Sequence, residues 1–314
     1  MAEWIIFKTR FITRDGRVVD TGNGGVSHSE GQGWGMLLAQ RMNDHRTFRL
    51  IQAWTHATLR RPGDALHGWR YRPGVGVDVN SATDGYLFIA AALVLAGERW
   101  GDARLVEAGA ETARDILRLL QRPAGSLTLL MPGAEGFESP DRIVINPSYY
   151  AFPAFRVLAR AFPDPAWMRL AADGLTLLRA ARFGRWGLPP DWLSVARADA
   201  ALALPSRWPP RFSYDAVRIP LYLAWAGLTD EPAWRAAAAF WGDRGNRHLP
   251  AWADLTNDAI SPYGAPAGVA AIARLTLTPG APPQAEAAAA QDYYGAVLSL
   301  LAHCVGRDLT ATPA

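Results

Sequence analysis

Six short polar or aromatic motifs recur along this chain, near residues 30, 84, 149, 215, 263 and 293, and each stands at the head of an apolar helical pattern. Between them lie amphipathic helical stretches without such a motif, including Asp44–Arg60, 102–121, 164–182 and Glu231–Trp241. Helices that alternate in this way pair into hairpins, and the spacing predicts six of them. The alternate members then begin at one common mouth. The expected fold is therefore all-α, an (α/α)6 barrel of six inner and six outer helices, with residues 1–314 forming a single catalytic domain and no strand-dominated region.

The first motif is the densest. Gly22–Leu38 reads G-N-G-G-V-S-H-S-E-G-Q-G-W-G-M-L-L, with glycines at 22, 24, 25, 31, 33 and 35. Lacking a Cβ, these residues let backbone approach another element or a ligand closely. Glu30 is delivered to the start of the helix that continues through Met36, Leu37 and Leu38. A carboxylate there can simply complement the helix dipole, and Ser29 can cap free N–H groups. Asp84 opens the pattern Tyr86–Leu95, and Asp215 stands in Tyr214-Asp215-Ala216-Val217-Arg218 at the head of another. Topology thus gathers three acids from distant parts of the sequence. By contrast Asp44, Asp102 and Asp164 fall at outer-helix starts, where capping accounts for them.

Composition narrows the chemistry. The chain is 50% hydrophobic and 19% charged, with a net charge of +3 from scattered arginines rather than basic runs, which argues against nucleic acid or a membrane surface as partner. The apolar stretch Gly85–Gly97 is shorter than the roughly 20 residues a bilayer crossing needs. Residues 1–15 carry Glu3, Lys8 and Arg10 and show no secretory signal pattern. His28-Ser29-Glu30 matches half of a zinc-deaminase signature, but the other half needs two cysteines and Cys304 is the only one. None of the six histidines falls in a metal-ligand spacing, so no metal and no cofactor is expected. The 13 tryptophans are the excess that points to a flat ligand such as a sugar ring. Trp34, Trp54, Trp100 and Trp167 lie in helical patterns and read as core; Trp69, Tyr71, Trp186 and Trp192 lie in loops and are candidates for a groove.

Two carboxylates flanking one bond, one protonated and one ionised, are what glycoside hydrolysis requires. The segments Ser29-Glu30-Gly31-Gln32-Gly33-Trp34-Gly35-Met36, Ala82-Thr83-Asp84, Asn146-Pro147-Ser148-Tyr149 and Tyr214-Asp215-Ala216-Val217-Arg218-Ile219-Pro220 resemble, in this order, the signatures of glycoside hydrolase family 8. That resemblance implies an inverting endo-β-1,4-glucanase on an (α/α)6 barrel. It makes Glu30 the general acid, Asp215 the general base and Asp84 a residue that binds and distorts the sugar at the cleavage point. Tyr149 and Tyr214 would position that sugar and the water, and Arg218 would hold Asp215. Trp69 and Trp192 are the loop aromatics expected to bind substrate. Glu30 would need a raised pKa to stay protonated near neutral pH.

Two features depart from the family pattern: Tyr86 and Phe88 stand where further acids are common, and Trp34 replaces a common tyrosine. Other substrates of the family, mixed-linkage β-glucan, xylan or chitosan, are the nearest alternatives. A glycan-binding protein without turnover is the alternative of another class. A monomer is expected, and the resemblance further implies a periplasmic or secreted home and an association with cellulose-synthesis machinery.

Overall fold

A computed structural model describes residues 2–281 and 292–311. In chain order its elements are α1 (Ala2–Phe11), β1 (Ser27–His28), α2 (Ser29–Arg41), α3 (His45–Leu59), β2 (Arg70–Arg72), β3 (Gly76–Asp78), α4 (Thr83–Trp100) and α5 (Ala103–Leu119). Next come β4 (Gln121–Ala124), β5 (Leu127–Leu130), β6 (Arg142–Ile145), a 3-10 turn (Pro147–Tyr149), α6 (Phe152–Ala161) and α7 (Pro165–Ala180). They are followed by β7 (Leu193–Ala196), β8 (Leu202–Ala203), β9 (Arg211–Phe212), α8 (Arg218–Trp225), α9 (Pro232–Trp241), β10 (Ala253–Asp254), α10 (Ala267–Leu277) and α11 (Tyr293–Ala311). Among the described residues helices carry the architecture, and every strand is two to four residues long. The run 283–290, which precedes the last predicted helix, lies outside the described residues.

The chain divides into two compact units. The first comprises Met1–Arg122, Leu130–Phe137 and Pro153–Leu170. Here α2 packs on α3 and α4, and α4 packs on α5. The burial patterns separate the two kinds of helix. α4 is buried nearly all round from Thr83 to Gly97, whereas α3 buries Thr47, Phe48, Ile51, Thr55 and Leu59 and α5 buries Leu105, Gly109, Thr112, Ala113, Ile116 and Leu117, single stripes facing the core. Asp44 accepts from the Thr47 amide at 3.1 Å and Asp102 from the Arg104 amide at 3.1 Å, so these acids cap their helices. α1, which no motif announced, buries Trp4, Phe7 and Phe11.

Glycine sets the spacing of the α2–α4 seam. A Cβ at Gly33 would lie 2.9 Å from the Ile89 nitrogen, and one at Gly85 would lie 2.8 Å from the Glu30 nitrogen. Only residues without side chains at both points let these backbones meet so closely.

The second unit comprises Pro123–Leu129, Glu138–Phe152 and Ala171–Ala314. Within it α10 packs on α8, α9 and α11, and α8 contacts the 3-10 turn. Strands β6, β7 and β8 form an antiparallel sheet in the order β6-β7-β8, and β9 pairs with β10. Three helix starts differ from the sequence pattern. Asn146-Pro147-Ser148-Tyr149 opens the 3-10 turn rather than an α-helix, because Asn146 caps it and Pro147 occupies its first position. Asp215 lies in the turn ahead of α8, and Tyr263 precedes α10 by a loop bridged between Pro250 and Gly264.

Candidate active site

In the first unit the head of α2 is held from both sides. Ser27 and His28 pair antiparallel with Tyr71 and Arg70, and the Ser29 amide donates to the Trp69 carbonyl at 2.9 Å. The helix cap is His28 rather than Ser29: its Nδ1 accepts the Gly31 amide hydrogen at 3.0 Å. An acceptor Nδ1 leaves the ring proton on Nε2, which faces Asp20 Oδ2 at 3.3 Å. Glu30 therefore sits in the first turn, with Oε2 3.8 Å from His28 Nδ1 and its side chain 15% exposed. No side-chain signal marks His28 except its place immediately before the helix.

Asp84 occupies the first turn of α4 and is 3% exposed. It does not cap that helix; the cap position is Ala82, and Asp84 Oδ1 accepts the adjacent Gly85 amide at 2.8 Å. Thr83 fixes the turn by donating from Oγ1 to the Met131 carbonyl at 2.5 Å. Because Gly85 abuts Ser29 and Glu30, the first turns carrying Asp84 and Glu30 are neighbours. Trp69 is half-buried, with the Arg70 guanidinium 4.1 Å above its ring. Trp34 and Trp167 are core, as their helical placement implies, whereas Trp54 and Trp100, placed likewise, are half-buried.

The second unit assembles around Arg218. Its guanidinium is buried, donates to Asp215 Oδ1 and reaches Ser148 Oγ at 2.9 Å, while its Nε donates to the Asp215 carbonyl at 3.2 Å. Ser148 Oγ in turn donates to Asn146 Oδ1 at 2.7 Å, which also accepts the Ser148 amide at 3.0 Å. The Asn-Pro-Ser-Tyr motif thus builds the seat of the arginine that pairs with Asp215. Ser148 belongs to that seat, a role that the motif's residue types alone do not show.

Asp215 keeps 31% of its side chain exposed, so the pair presents a carboxylate to solvent from a rigid base. Arg218 also lies 5.8 Å from the Tyr149 ring, which meets Trp192 edge-on at 6.3 Å, and Trp192 stacks on Trp208 at 5.3 Å. Tyr214 is 39% exposed and its hydroxyl lies 3.2 Å from that of Tyr263, which accepts from Trp252 Nε1 at 3.1 Å. Burial, together with the Tyr263 hydroxyl, pushes the Tyr214 phenol above its ordinary pKa, so it stays protonated. Tyr294 donates to the Tyr214 carbonyl.

Of the loop aromatics, two depart from the expectation: the Trp186 indole packs on Phe240 of α9 and donates to Asp243 at 3.0 Å, a loop-packing role, and Tyr71 lies in β2, where its ring meets that of Trp54 at 5.6 Å. Each unit therefore holds one partly exposed carboxylate in a prepared setting, Glu30 beside Asp84 in the first and Asp215 beside aromatic rings in the second. Among the described residues no cluster of three or more His, Cys, Asp or Glu side chains is arranged to hold a metal, and no helix is long and apolar enough to cross a membrane.

A model of the family "Glycosyl hydrolases family 8" matches residues 1–307. The chain is 43% identical to a probable endoglucanase of Novacetimonas hansenii, over 98% of this chain and 91% of that protein. It is 38% identical to an endoglucanase of Cellulomonas uda over 87% and 77% of the two chains. The solved structure of an endo-β-1,4-glucanase from Acetobacter xylinum superposes with a TM-score of 0.92 at 42% identity, covering 99% of this chain and 98% of that one. The shared fold is the (α/α)6 barrel that the alternation of helix types predicts. A match of this extent, in sequence and in fold alike, makes the chain a glycoside hydrolase and a member of glycosyl hydrolase family 8.

Proposed function

We propose that this enzyme is an inverting endo-β-1,4-glucanase in which Glu30 protonates the leaving glycosidic oxygen and Asp215 takes a proton from the attacking water. A glycosidic oxygen leaves poorly without a proton, and water attacks poorly without a base. The observation that carries the reading is the unlike setting of the two acids. Asp215 is ion-paired with a buried arginine, as befits a base that must stay ionised. Glu30 is mostly buried in the first turn of α2, with Oε2 3.8 Å from His28 Nδ1. Asp84, beside Glu30, binds the sugar at the cleavage point; Tyr149 and Tyr214 orient that sugar and the water; Trp192 and Trp69 offer rings to the chain. An inverting pair stands roughly 6.5–9.5 Å apart, leaving room for the water.

The endoglucanase name of the relative at 43% identity and the endo-β-1,4-glucanase name of the solved structure at 42% favour a cellulose-type glucan over xylan, mixed-linkage glucan or chitosan. Parallel digestion of carboxymethyl cellulose, lichenan, xylan and chitosan with chromatography of the products tests the substrate. Internal cutting of carboxymethyl cellulose is expected, and a clear preference for xylan or chitosan would overturn that part. NMR of the first product should show the α anomer; an initial β anomer excludes inversion. Glu30→Gln and Asp215→Asn should each abolish most turnover in a folded protein, and near-normal turnover in either removes its assigned role.

The reading extends to a monomer working in the periplasm or outside the cell, beside cellulose-synthesis machinery. Sedimentation, cell fractionation and the cellulose yield of a deletion strain test those parts in turn; a stable dimer, a cytosolic pool or an unchanged yield counts against each.

A further inference from the structure

Asp191 is a buried carboxylate, 6% exposed, to which no motif assigned a role. Its amide donates to the Arg211 carbonyl at 2.7 Å, which fixes its backbone beside β9. Its Oδ1 accepts the Ser213 amide at 2.9 Å and the Ala216 amide at 2.8 Å, and its Oδ2 accepts the Ser213 hydroxyl. These bonds bracket Asp215 on both sides of the sequence. The turn itself is closed by the Val217 amide on the Ser213 carbonyl at 2.9 Å and the Arg218 amide on the Asp215 carbonyl at 3.1 Å. Ser213 and Ala216 therefore offer amide hydrogens that the turn and α8 leave over, and the Asp191 carboxylate takes both.

Such a choice of residue is costly. Burial pushes the Asp191 carboxyl above the usual carboxylate range, while its hydrogen bonds pull the other way. An ionised carboxylate nevertheless offers acceptors on both oxygens; an asparagine has one, so either the two amides or the Ser213 hydroxyl would face its NH2 group. The next residue, Trp192, belongs to the ring series with Tyr149 and Trp208. One short segment thus joins the turn holding Asp215 to the aromatic face beside it.

We propose that Asp191 is the positioning residue for the general base: its carboxylate sets the 213–216 turn so that Asp215 points at the attacking water, and it acts on the rate rather than on substrate affinity. This rests on Asp215 being the base.

Asp191→Asn, Ser213→Ala and Asp215→Asn are compared with the unsubstituted enzyme on carboxymethyl cellulose, measuring kcat, KM and the melting temperature, with and without sodium azide. Azide attacks the anomeric carbon as the C–O bond breaks and the leaving oxygen takes its proton from Glu30. It yields the glycosyl azide without needing a base. For folded Asp191→Asn we expect kcat to fall about 100-fold, the scale of a 1 Å misplacement. KM should stay within about threefold, and azide should restore turnover as it does for Asp215→Asn. Ser213→Ala, which removes one bond of the set, should lose about tenfold in kcat, and it decides the matter if Asp191→Asn does not fold.

A folded Asp191→Asn, or Ser213→Ala in its place, with kcat within threefold of the parent overturns the positioning role while leaving Asp215 as base. Loss of rate without azide rescue, when Asp215→Asn is rescued, overturns it too. Full activity of Asp215→Asn overturns both readings together.

Discussion

The seam between α2 and α4 places Glu30, and Gly85→Ala tests how tightly. A Cβ built at Gly85 lies 2.1 Å from Ser29 Oγ, 2.6 Å from Ser29 Cβ and 2.8 Å from the Glu30 nitrogen. Rotating the serine relieves the first clash only, because Cβ and the amide nitrogen move with the main chain. Restoring an ordinary contact of about 3.4 Å requires the head of α2 to retreat by roughly 0.6–0.8 Å at those atoms. Overpacking of this kind costs about 1–3 kcal/mol in stability. Misplacing a reacting group by about 1 Å costs up to about 100-fold in rate. Folded Gly85→Ala should therefore show kcat on carboxymethyl cellulose down by about 10- to 100-fold, with a lowered melting temperature.

Gly109→Ala is the matched control. Its Cβ would lie 2.6 Å from Val94 Cγ2 and 2.8 Å from the Ala90 carbonyl, which overpacks the same α4 against α5, away from its first turn. A similar melting loss with kcat close to the parent's is expected there. If Gly85→Ala keeps its kcat within threefold, or Gly109→Ala loses as much, the seam does not set the acid and the reasoning fails.

Arg218→Lys should lower kcat by about 100-fold although the charge is kept, because a single ammonium cannot serve Asp215 Oδ1 and Ser148 Oγ and also replace the Nε bond to the Asp215 carbonyl; activity within threefold of the parent counts against the seat. His67 gives a test of stability. Burial, reinforced by the charges of His56 and Arg60, holds its pKa down at about 4 against an ordinary 6.5. As pH falls from 6.5 towards 4 the unfolded chain takes up a proton that the folded chain refuses. Stability should drop across that window by about 3 kcal/mol and level off below it. Urea denaturation at pH 7 and pH 4.5 should show the drop in the parent and a much smaller one in His67→Leu; equal drops would mean that another group carries it.

The features legible in the sequence are those with a local cause. Asp44, Asp102 and Asp164 cap the helices they precede, since a cap needs only the next two or three amides; for Asp164 the Ala166 amide lies at 2.8 Å. The single stripe of α5 against the all-round burial of α4 was equally visible, because helical period and burial travel together. The strands were not: two to four residues carry no period to read. Nor was α1, whose ten residues include three charges and bury only three side chains.

Within the candidate site, residue types and their order single out Glu30, Asp84, Asp215, Tyr149 and Arg218 as candidates. What they touch depended on folding. Trp186 and Trp192 occupy the same Trp- and Pro-rich loop, yet one packs on α9 and the other joins the rings beside Arg218. Asp191 and Ser213 are 22 residues apart, and His28 matters through Asp20 and the Gly31 amide. By itself the sequence determined where the chemistry-bearing motifs and the helix caps stand, because both are written in neighbouring residues. Only the tertiary structure decided what each carboxylate touches, Arg218 for Asp215 and the Ser213 and Ala216 amides for Asp191, because burial and hydrogen-bond partners come from chain segments that meet after folding.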